Sequence, residues 1–465
     1  MTVSNLRALE IEAYERATRS LFSLIRGEQY ATRSKEARRQ RAKAKLARIR
    51  TLLQGLGDPQ RCYPVVHVTG TSGKGSTAAT VASILTAAGY RVGLRTSPFL
   101  QVATEKLQIG SSLIDSASFD EMVGRVLDEA FRVYPPDTFG GCISYAEAWA
   151  VLGYWWFARR DIDVGVVEVG AGGRFDATNV IDPVVSVITS VGFDHVVTLG
   201  PSIQDIAWHK AGVVKPGTTV VLGDIPAEAL SVIAREAQAL GATLVLACKA
   251  RASKRSLPVL DGAFQEQNAA IAVTVAEVLR ENGFNVPDAA IVDGIRSTRL
   301  PGRLERMPGA SDPTVWIDGA HNADKAAALA QEAPRISIGG PLPVIVLGIL
   351  GAKDSAAIVS ALRPAASAMV LTEPTVLGKR SLAADKLTDV VRAVGFEGEV
   401  HVEPDPDVAV RRAESIAKPA GTAVLVTGSM YLAGEVRRRW YWDEDIVMQR
   451  TPWPSKQRET CLAAP

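Results

Sequence analysis

The chain has 465 residues, of which 47% are hydrophobic and 22% are charged, and its formal net charge is +2. This length predicts two to four domains, and the near-neutral charge gives no overall field that would hold a nucleic acid or a membrane. The cysteines form no C-x-x-C pair, which disfavours a zinc knuckle or a disulfide framework. No apolar signal segment opens the sequence, and no apolar run reaches the roughly 20 residues that span a bilayer. We therefore expect a cytoplasmic protein with no nucleic-acid or membrane partner.

A basic segment lies near the N-terminus. Residues 33–50, RSKEARRQRAKAKLARIR, contain nine basic residues and one acid. A solvated helix face accounts for such a run, and contact with an anionic substrate or a tRNA-like polymer is the alternative. The sequence leaves both interpretations open.

Strand-like apolar runs alternate with helical patterns along most of the chain. The β-rich run YPVVHVTG (63–70) is followed by a helical pattern over 76–90 and by a second strand in RVGLRTSP. Residues 161–170 and 182–192 are continuous β-branched runs, typical of strands buried on both faces of a parallel sheet. This alternation predicts a doubly wound α/β architecture.

A domain boundary is expected where Leu300-Pro301-Gly302 interrupts a helical run and a new series of strands begins. We predict an N-terminal P-loop-type doubly wound sheet domain over 1–300. A smaller C-terminal Rossmann-like α/β domain is predicted over 301–465. The segment after Trp440 is expected to be an irregular extension.

The stretch TGTSGKGST (69–77) has the character of a phosphate-binding loop but departs from the pattern G-x-x-x-x-G-K-[ST]. Val68 stands where the first glycine is expected, and Gly75 separates Lys74 from Ser76. A strand before the loop and a helix after it create an anion site of backbone N–H groups, which the lysine and a hydroxyl complete for a nucleotide and Mg²⁺. A tight strand–helix turn with an incidental lysine is the alternative. The residues expected at the nucleotide are Gly70, Thr71, Gly73, Lys74, Gly75, Ser76 and Thr77.

Two later strands end in side chains that suit the same site. Glu168 ends the strand VGVVEVG, and His195 follows VVSVITSVGF. In an open α/β sheet, ligands bind outside the carboxyl ends of the strands, so a carboxylate and an imidazole are expected beside the phosphates. Taken alone, His195 also fits a purely structural role in its loop, and Lys210 fits a solvated helix face.

The second half of the chain contains two strand–turn motifs. WIDGAHN places Asp318, His321 and Asn322 in a turn after a strand. VLVTGSMYLAGEV leads a strand into Gly428-Ser429 and then into a helix, which forms another pocket rich in N–H groups. We therefore expect the second domain to bind a small anion against the nucleotide.

Together, these motifs resemble those of the Mur ligase superfamily and, within it, the folylpolyglutamate synthase/dihydrofolate synthase family. HVTGTSGKGST is similar to the family's H-V-x-G-T-N-G-K-G-S, so the unusual loop is that family's own form, with Ser72 in place of asparagine. His209 in place of glutamate and the basic segment are further departures. Other matching segments, in family order, are LRTSPFL, VVEVGAGGRFDATNV, SVGFDHVVTLG, IAWHKAGVVKPG, QEQNAAIAV, LPGRLE, DGAHN and VTGSMYLAGEV.

The resemblance implies a monomeric, ATP-dependent amide ligase that adds L-glutamate to the carboxylate of a pteroate or folate through an acyl phosphate. It implies two Mg²⁺ sites, one of them held by a carbamylated Lys210, with metal-site residues Ser76, Glu168, His195 and Lys210. It implies catalytic roles for Lys74, Lys210, His195 and His321, and further nucleotide contacts by Asn268, Arg303 and Asp318. The implied substrate-binding residues are Arg26, Thr96, Ser97, Pro98, Asp176, His321, Asn322 and Ser429.

Two other functions remain as alternatives. A Mur-type ligase would join an amino acid to a different carboxylate substrate, and the departures from the family motifs leave room for a non-folate acid. A GTPase-like switch would bind nucleotide without ligating anything. No asparagine is followed by lysine, so the guanine-binding motif Asn-Lys-x-Asp is absent from the sequence.

Overall fold

A computed structural model of the chain describes residues 3–25, 35–134, 143–248, 263–309, 313–337, 339–376 and 378–455. In these ranges the fourteen strands are β1 Val65–Thr69, β2 Val92–Arg95, β3 Leu107–Ile109, β4 Ser112–Leu113, β5 Val164–Glu168, β6 Val185–Ser190, β7 Thr219–Asp224, β8 Thr243–Leu246, β9 Glu305–Arg306, β10 Val315–Ile317, β11 Val344–Leu347, β12 Ala368–Leu371, β13 Glu399–Val402 and β14 Val424–Thr427.

The helices in the same ranges are α1 Val3–Phe22, α2 Lys35–Gly55, α3 Lys74–Ala87, α4 Ser116–Val133, α5 Tyr145–Arg159, α6 Val196–Leu199, α7 Ile203–Ala211, α8 Ala227–Ala239, α9 Ala263–Glu281, α10 Asp288–Ser297, α11 Ala323–Ala330, α12 Ala333–Ile336, α13 Ser355–Leu362, α14 Ala384–Ala393, α15 Pro406–Ala420, α16 Met430–Arg437 and α17 Asp443–Gln449. None of these helices combines the length and the apolar character needed to cross a bilayer.

The first sheet has eight strands in the order β4-β3-β2-β5-β1-β6-β7-β8. All neighbours are parallel except at the edge, where β3 pairs antiparallel with β2 and with β4. Helices cover both faces because the β-branched strands bury side chains on both sides. In register, Val68 of β1 lies opposite Glu168 of β5, and Thr69 lies opposite Ile188 of β6. Three neighbouring strands therefore end at one edge, directly beneath the loop 69–77.

The second sheet has six strands in the order β13-β12-β11-β14-β10-β9, and only β9 is antiparallel to its neighbour. Helices α11, α13 and α14 contribute to the apolar cluster on one face, and α15 and α16 contribute to that on the other. The predicted fold class, a doubly wound α/β unit followed by a smaller α/β unit, is confirmed.

The expectation of an irregular extension after Trp440 is wrong. Residues 443–449 form α17, and Ile446 and Val447 pack against Val102 and Leu113 of the first sheet's edge region. The Leu113 N–H donates a hydrogen bond of 2.9 Å to the Arg450 carbonyl. The last described segment therefore returns to the N-terminal half of the chain. The division at 300/301 stays a prediction.

The basic segment forms much of α2. Its apolar face, which includes Leu46 and Ile49, is buried in the core against α5. On another side, Arg48 forms an ion pair of 2.8 Å with the buried Glu147. Arg39 stacks over the Trp208 ring at 4.6 Å. Part of this charge therefore has a structural role, and the anion contact considered from the sequence stays a prediction.

A buried arginine joins the two halves of the molecule. Arg437, in α16, is fully buried, and two of its nitrogens donate hydrogen bonds of 2.8 Å to the Glu305 carboxylate. A third nitrogen donates to Gln101 Oε1, of the first half, at 2.6 Å. On the same helix, a Cβ at Gly434 would collide with the Leu100 carbonyl oxygen, so α16 packs directly on the backbone of the loop after β2.

Candidate active site

The loop 69–77 is shaped to hold an anion at the N-terminus of α3. Gly73 precedes the helix with φ of 81°, a conformation that favours glycine. A Cβ at this position would collide with Asn268 Oδ1, so Asn268 of α9 lies against the loop. Lys74 Nζ donates to the Gly70 carbonyl at 2.9 Å, which curls the side chain back over its own loop. Asn268 therefore contacts the loop, and its contact with a nucleotide stays a prediction.

The loop is held by the end of β6. The Thr71 N–H donates to the Ser190 carbonyl at 3.0 Å, and the Ser72 N–H donates to Ser190 Oγ at 2.9 Å. The Ser72 hydroxyl is buried and has no hydrogen-bond partner in the described part of the chain. The departure from the family's asparagine therefore leaves the anchoring of the loop intact, because that anchoring uses backbone groups.

Glu168 lies beside the loop, as the strand register requires. A Cβ at Gly75 would stand 3.4 Å from Glu168 Oε2, and the same oxygen accepts a hydrogen bond of 2.8 Å from the Ser97 N–H. Burial raises the pKa of Glu168, while the nearby Lys74 opposes that rise. A buried carboxylate and a lysine therefore share the phosphate end of the cleft.

His195 reaches the same region from the end of β6. It precedes α6 with φ of 52°, its side chain is 48% exposed, and Nε2 is 3.9 Å from Asp194 Oδ2. Its surroundings lower the pKa of His195 to about 4, through desolvation first and then through the positive charges of Lys353, Lys74 and Lys210. The imidazole is therefore neutral near pH 7, which is the form that binds a metal ion.

Lys210 lies in the last turn of α7 and is only 2% exposed. Burial and the neighbouring charge of Lys74 hold the pKa of Lys210 well below its usual value. Among the described side chains, Lys210 forms no ion pair. A buried lysine whose pKa is lowered beside a second lysine is unusual for a purely structural residue.

The turn DGAHN forms the facing wall of the cleft. Both Asp318 oxygens accept backbone N–H groups, from Leu304 at 2.8 Å and from Ala320 at 2.7 Å. His321 Nδ1 lies 2.9 Å from the Gly319 carbonyl oxygen. Asp318 therefore holds the turn in shape, and His321 has a fixed ring orientation.

Asn322 connects this wall to the first domain. Its Oδ1 accepts the Lys325 N–H at 2.9 Å, which caps α11, and its Nδ2 donates to Asp194 Oδ2 at 3.4 Å. Ser429 caps α16 by accepting the Tyr431 N–H at 3.1 Å. Asn322 and Ser429, one from each strand–turn motif, therefore each stabilise the start of a helix.

The residues predicted to bind the acceptor substrate differ in their hydrogen bonds and in their exposure. Ser97 is tied to Glu168, and the Thr96 N–H donates to the Lys106 carbonyl at 3.1 Å, while Pro98 is exposed. Asp176 accepts hydrogen bonds from the Ala171 and Thr178 N–H groups, at 3.1 and 3.0 Å. It therefore shapes the glycine-rich turn from within, and its contact with substrate stays a prediction. Arg26 lies outside the described residues.

Several charged residues of the cleft were not identified from the sequence. Lys353 Nζ forms an ion pair of 2.8 Å with Asp194, across the two domains. Lys325 Nζ lies 3.1 Å from His321 Nε2, and Lys106 Nζ lies 3.5 Å from Ser97 Oγ. Each is a single lysine in a polar stretch, so no sequence signal separates it from a solvated one. Burial raises the pKa of Asp318, and the charge of Arg303, which was predicted, opposes that rise, so Arg303 belongs to the same cleft.

Within the described ranges, no three His, Cys, Asp or Glu side chains gather as a metal-binding cluster. Mg²⁺ prefers oxygen ligands, retains several waters and binds at such sites partly through nucleotide phosphates. The Glu168 carboxylate beside Gly75, together with the Ser76 hydroxyl in the first turn of α3, fits that requirement. The donor set therefore suits a magnesium–nucleotide complex better than a metal held by protein alone.

The protein has two α/β units, and its phosphate-binding loop faces a cleft lined by cationic side chains. These features define a nucleotide-dependent enzyme. Residues 302–430 match the family model described as "Mur ligase, glutamate ligase domain". The chain is 34% identical over 414 residues to the folylpolyglutamate synthase of Lacticaseibacillus casei, covering 84% of this chain and 93% of that protein. It is 32% identical over 418 residues to the dihydrofolate synthase/folylpolyglutamate synthase of Bacillus subtilis, covering 85% and 94%.

The solved structure of Mycobacterium tuberculosis folylpolyglutamate synthase complexed with ADP matches with a TM-score of 0.81 at 30% identity, covering 93% of this chain and 99% of that chain. The chain therefore belongs to the folylpolyglutamate synthase/dihydrofolate synthase family of Mur ligases.

Proposed function

We propose that the chain is an ATP-dependent ligase that joins L-glutamate to the carboxylate of a pteroate or folate through an acyl phosphate. The observation that carries this proposal is the meeting of Lys74 and Glu168 at the phosphate loop, opposite the DGAHN turn. The names of the relatives support the acceptor and the amino acid, and the ADP of the M. tuberculosis structure supports the nucleotide.

The first step activates the acceptor. A carboxylate is a poor electrophile because its leaving group would be oxide, whereas an acyl phosphate releases phosphate. Transfer of the γ-phosphoryl group from ATP to the carboxylate forms this acyl phosphate and ADP. The loop N–H groups and the Lys74 ammonium, turned from the Gly70 carbonyl toward the phosphates, stabilise the phosphoryl oxygens. Bound Mg²⁺ would offset further phosphate charge, and Ser76, Glu168 and His195 would hold it.

The second step forms the amide. The glutamate amine attacks the acyl carbon, the tetrahedral intermediate expels phosphate, and the amine loses a proton. Acyl phosphates hydrolyse in water, so the facing walls of the cleft must exclude solvent while the intermediate exists. The contacts of Asp194 with Lys353 and Asn322 already join these walls.

The ligase proposal is tested by measuring ADP release and amide product with two acceptors, dihydropteroate and tetrahydrofolate, each with glutamate and ATP. We expect product with at least one acceptor and ATP preferred over GTP. Lys74→Ala should lower kcat/KM by about 10²- to 10³-fold, since one charged donor to the transition state is lost. The exposed Lys386→Ala is the matched control. Absence of amide with both acceptors would end the folate assignment.

Carbamylation of Lys210 is part of the proposal. A neutral lysine amine adds to CO₂ and releases one proton, forming a carbamate that carries a negative charge. The lowered pKa of Lys210 increases the share of neutral amine, and the carbamate would replace repulsion from Lys74 with attraction. It would also offer oxygen ligands to a second Mg²⁺. The monomeric state and the cytoplasmic location stay predictions.

Labelling with ¹³C-bicarbonate tests the modification. A carbamate carbon signal is expected in the wild-type protein and not in Lys210→Arg, and removal of CO₂ should lower activity reversibly. Lys215→Arg, a neighbouring lysine beyond the end of α7, is the control and should keep the signal. A spectrum without a carbamate signal in active wild-type enzyme would refute this part of the proposal.

A further inference from the structure

Lys325 occupies a fixed position on the wall of the cleft. It lies in the first turn of α11, and its N–H is the group that Asn322 caps at 2.9 Å. Its backbone is therefore held by the same turn that carries His321. The residue is partly exposed.

The hydrogen bonds of His321 determine how many N–H donors of the Lys325 ammonium remain available. His321 Nδ1 is 2.9 Å from the Gly319 carbonyl oxygen, which can only accept, so Nδ1 carries the proton. Nε2 then has the lone pair of a neutral imidazole and accepts from Lys325 Nζ at 3.1 Å. An ammonium has three N–H donors, so two of them stay available for another partner.

No acid forms an ion pair with Lys325 in the described part of the chain. Asp194 is the nearby carboxylate, but its two oxygens already accept from Lys353 at 2.8 Å and from Asn322 at 3.4 Å. Burial, followed by the charges of Arg303, Lys74 and Lys353, holds the pKa of Lys325 well below its usual value, while Asp194 opposes this shift. An anion bound beside Lys325 would raise that pKa and so favour the ammonium form. A group of cations with too few acids is stabilised when an anion binds among them.

We propose that Lys325 is a further substrate-binding residue, whose ammonium binds a carboxylate of the incoming amino acid next to His321. This assignment rests on the proposed function. The ligand of Lys325 would be an anionic oxygen, which either a carboxylate or a phosphoryl group can supply. The carboxylate is favoured because the phosphates already have Lys74 and the loop N–H groups in the first domain, whereas Lys325 and His321 belong to the second.

Steady-state kinetics of Lys325→Met and Lys325→Arg test the assignment in the full-length enzyme. Loss of a charge-assisted hydrogen bond in Lys325→Met should raise KM for glutamate by roughly 10- to 100-fold and leave KM for ATP within about two-fold. Lys325→Arg, which keeps the charge, should stay nearer to wild type. Lys418→Met, an exposed lysine of α15, is the matched control.

Three results would overturn the assignment: an unchanged KM for glutamate in Lys325→Met, a rise in KM for ATP as large as that for glutamate, or equal effects of Met and Arg. The second of these would identify a phosphoryl oxygen as the anion. Melting temperatures show whether each variant folds, and Lys325→Gln provides the comparison if methionine is not tolerated. An inactive wild-type enzyme would instead refute the proposed function, so the two failures are distinct.

Discussion

Burial gives two adjacent side chains, Glu105 and Lys106, unusual protonation behaviour. Glu105 Oε2 accepts the Leu100 N–H at 2.6 Å, and Lys106 Nζ lies 5.3 Å above the Trp149 ring. Burial raises the pKa of Glu105 to about 7 and lowers the pKa of Lys106 to about 7. Each of these groups therefore changes its protonation state near neutral pH.

Their effects on stability have opposite signs. Between the ordinary pKa of Glu105, 4.5, and about 7, the folded protein keeps a proton that the unfolded chain has released, so rising pH destabilises. Between about 7 and the ordinary pKa of Lys106, 10.5, the unfolded chain holds the extra proton, so rising pH stabilises. The pair therefore contributes a minimum of stability near pH 7.

Substitution separates the two contributions. Glu105→Gln should flatten the fall in unfolding free energy between about pH 5 and 7, and Lys106→Met should flatten the rise between about pH 7 and 10. Urea unfolding at a series of pH values, with the exposed pair Glu121→Gln and Lys418→Met as controls, measures both slopes. Slopes equal to wild type in both core variants would show that these pKa shifts are absent.

At the same scale, the sequence located some site residues and not others. Glu168 and His195 follow β-branched runs, and the rule that ligands bind at carboxyl strand ends places both near Lys74. Lys325 and Lys353 carry no such signal, because a lysine in a short helix or polar loop is most often solvated. Only the approach of the second domain to Asp194 reveals their position in the cleft.

Among the elements, the loop 69–77 depends on its contact with α9. Gly73→Ala combines left-handed strain with a collision against Asn268, so the loop must move and ATP binding should weaken more than about ten-fold. Gly89→Ala is a matched control, because Gly89 also has positive φ, 92°, but no atom within 4 Å of an added Cβ. It should cost about 1–2 kcal/mol of stability and leave ATP affinity unchanged.

The double variant Gly73→Ala/Asn268→Ala removes the atom that the new Cβ would strike. If the double variant binds ATP more tightly than Gly73→Ala, the collision with Asn268 accounts for part of the loss. If Gly73→Ala and Gly89→Ala weaken ATP binding equally, the collision makes no specific contribution. Calorimetric titration with ATP gives the affinities, and thermal unfolding gives the stability change.

The sequence predicted secondary-structure elements correctly where their apolar runs were long. β1, β5 and β6 are continuous apolar runs, and their buried positions confirm the predicted parallel strands. The two-residue strands β4 and β9 are too short to show a period. Helix α17 was missed because its seven residues bury only Ile446 and Val447, and only the packing of that pair against the first sheet selects a helix.

In the whole molecule, Arg437 joins the two halves through a buried network. Arg437→Met leaves Glu305 buried without its cation and should cost about 3–5 kcal/mol. Arg439→Met, which removes a partly exposed pair with Glu414, is the control and should cost about 0–1 kcal/mol. Denaturant unfolding measures both. Equal costs would show that the network with Glu305 and Gln101 contributes no special stability.

The overall architecture was predictable because alternating strands and helices allow few arrangements. The relation between the two units was not, since it rests on contacts such as Arg437 with Gln101 and Gly434 with the Leu100 backbone. These contacts join positions far apart in the sequence, and neither residue type alone signals an interface.

The return of α17 to the N-terminal half has a consequence for synthesis on the ribosome. All strands of the first sheet are translated before residue 250, yet the apolar surface at Val102 and Leu113 is only partly covered until 443–449 have been translated. A nascent chain that pauses before residue 443 would carry the complete first sheet with apolar surface exposed at its edge. Chaperones that recognise apolar surface should therefore engage this intermediate and release it once the final helix has docked.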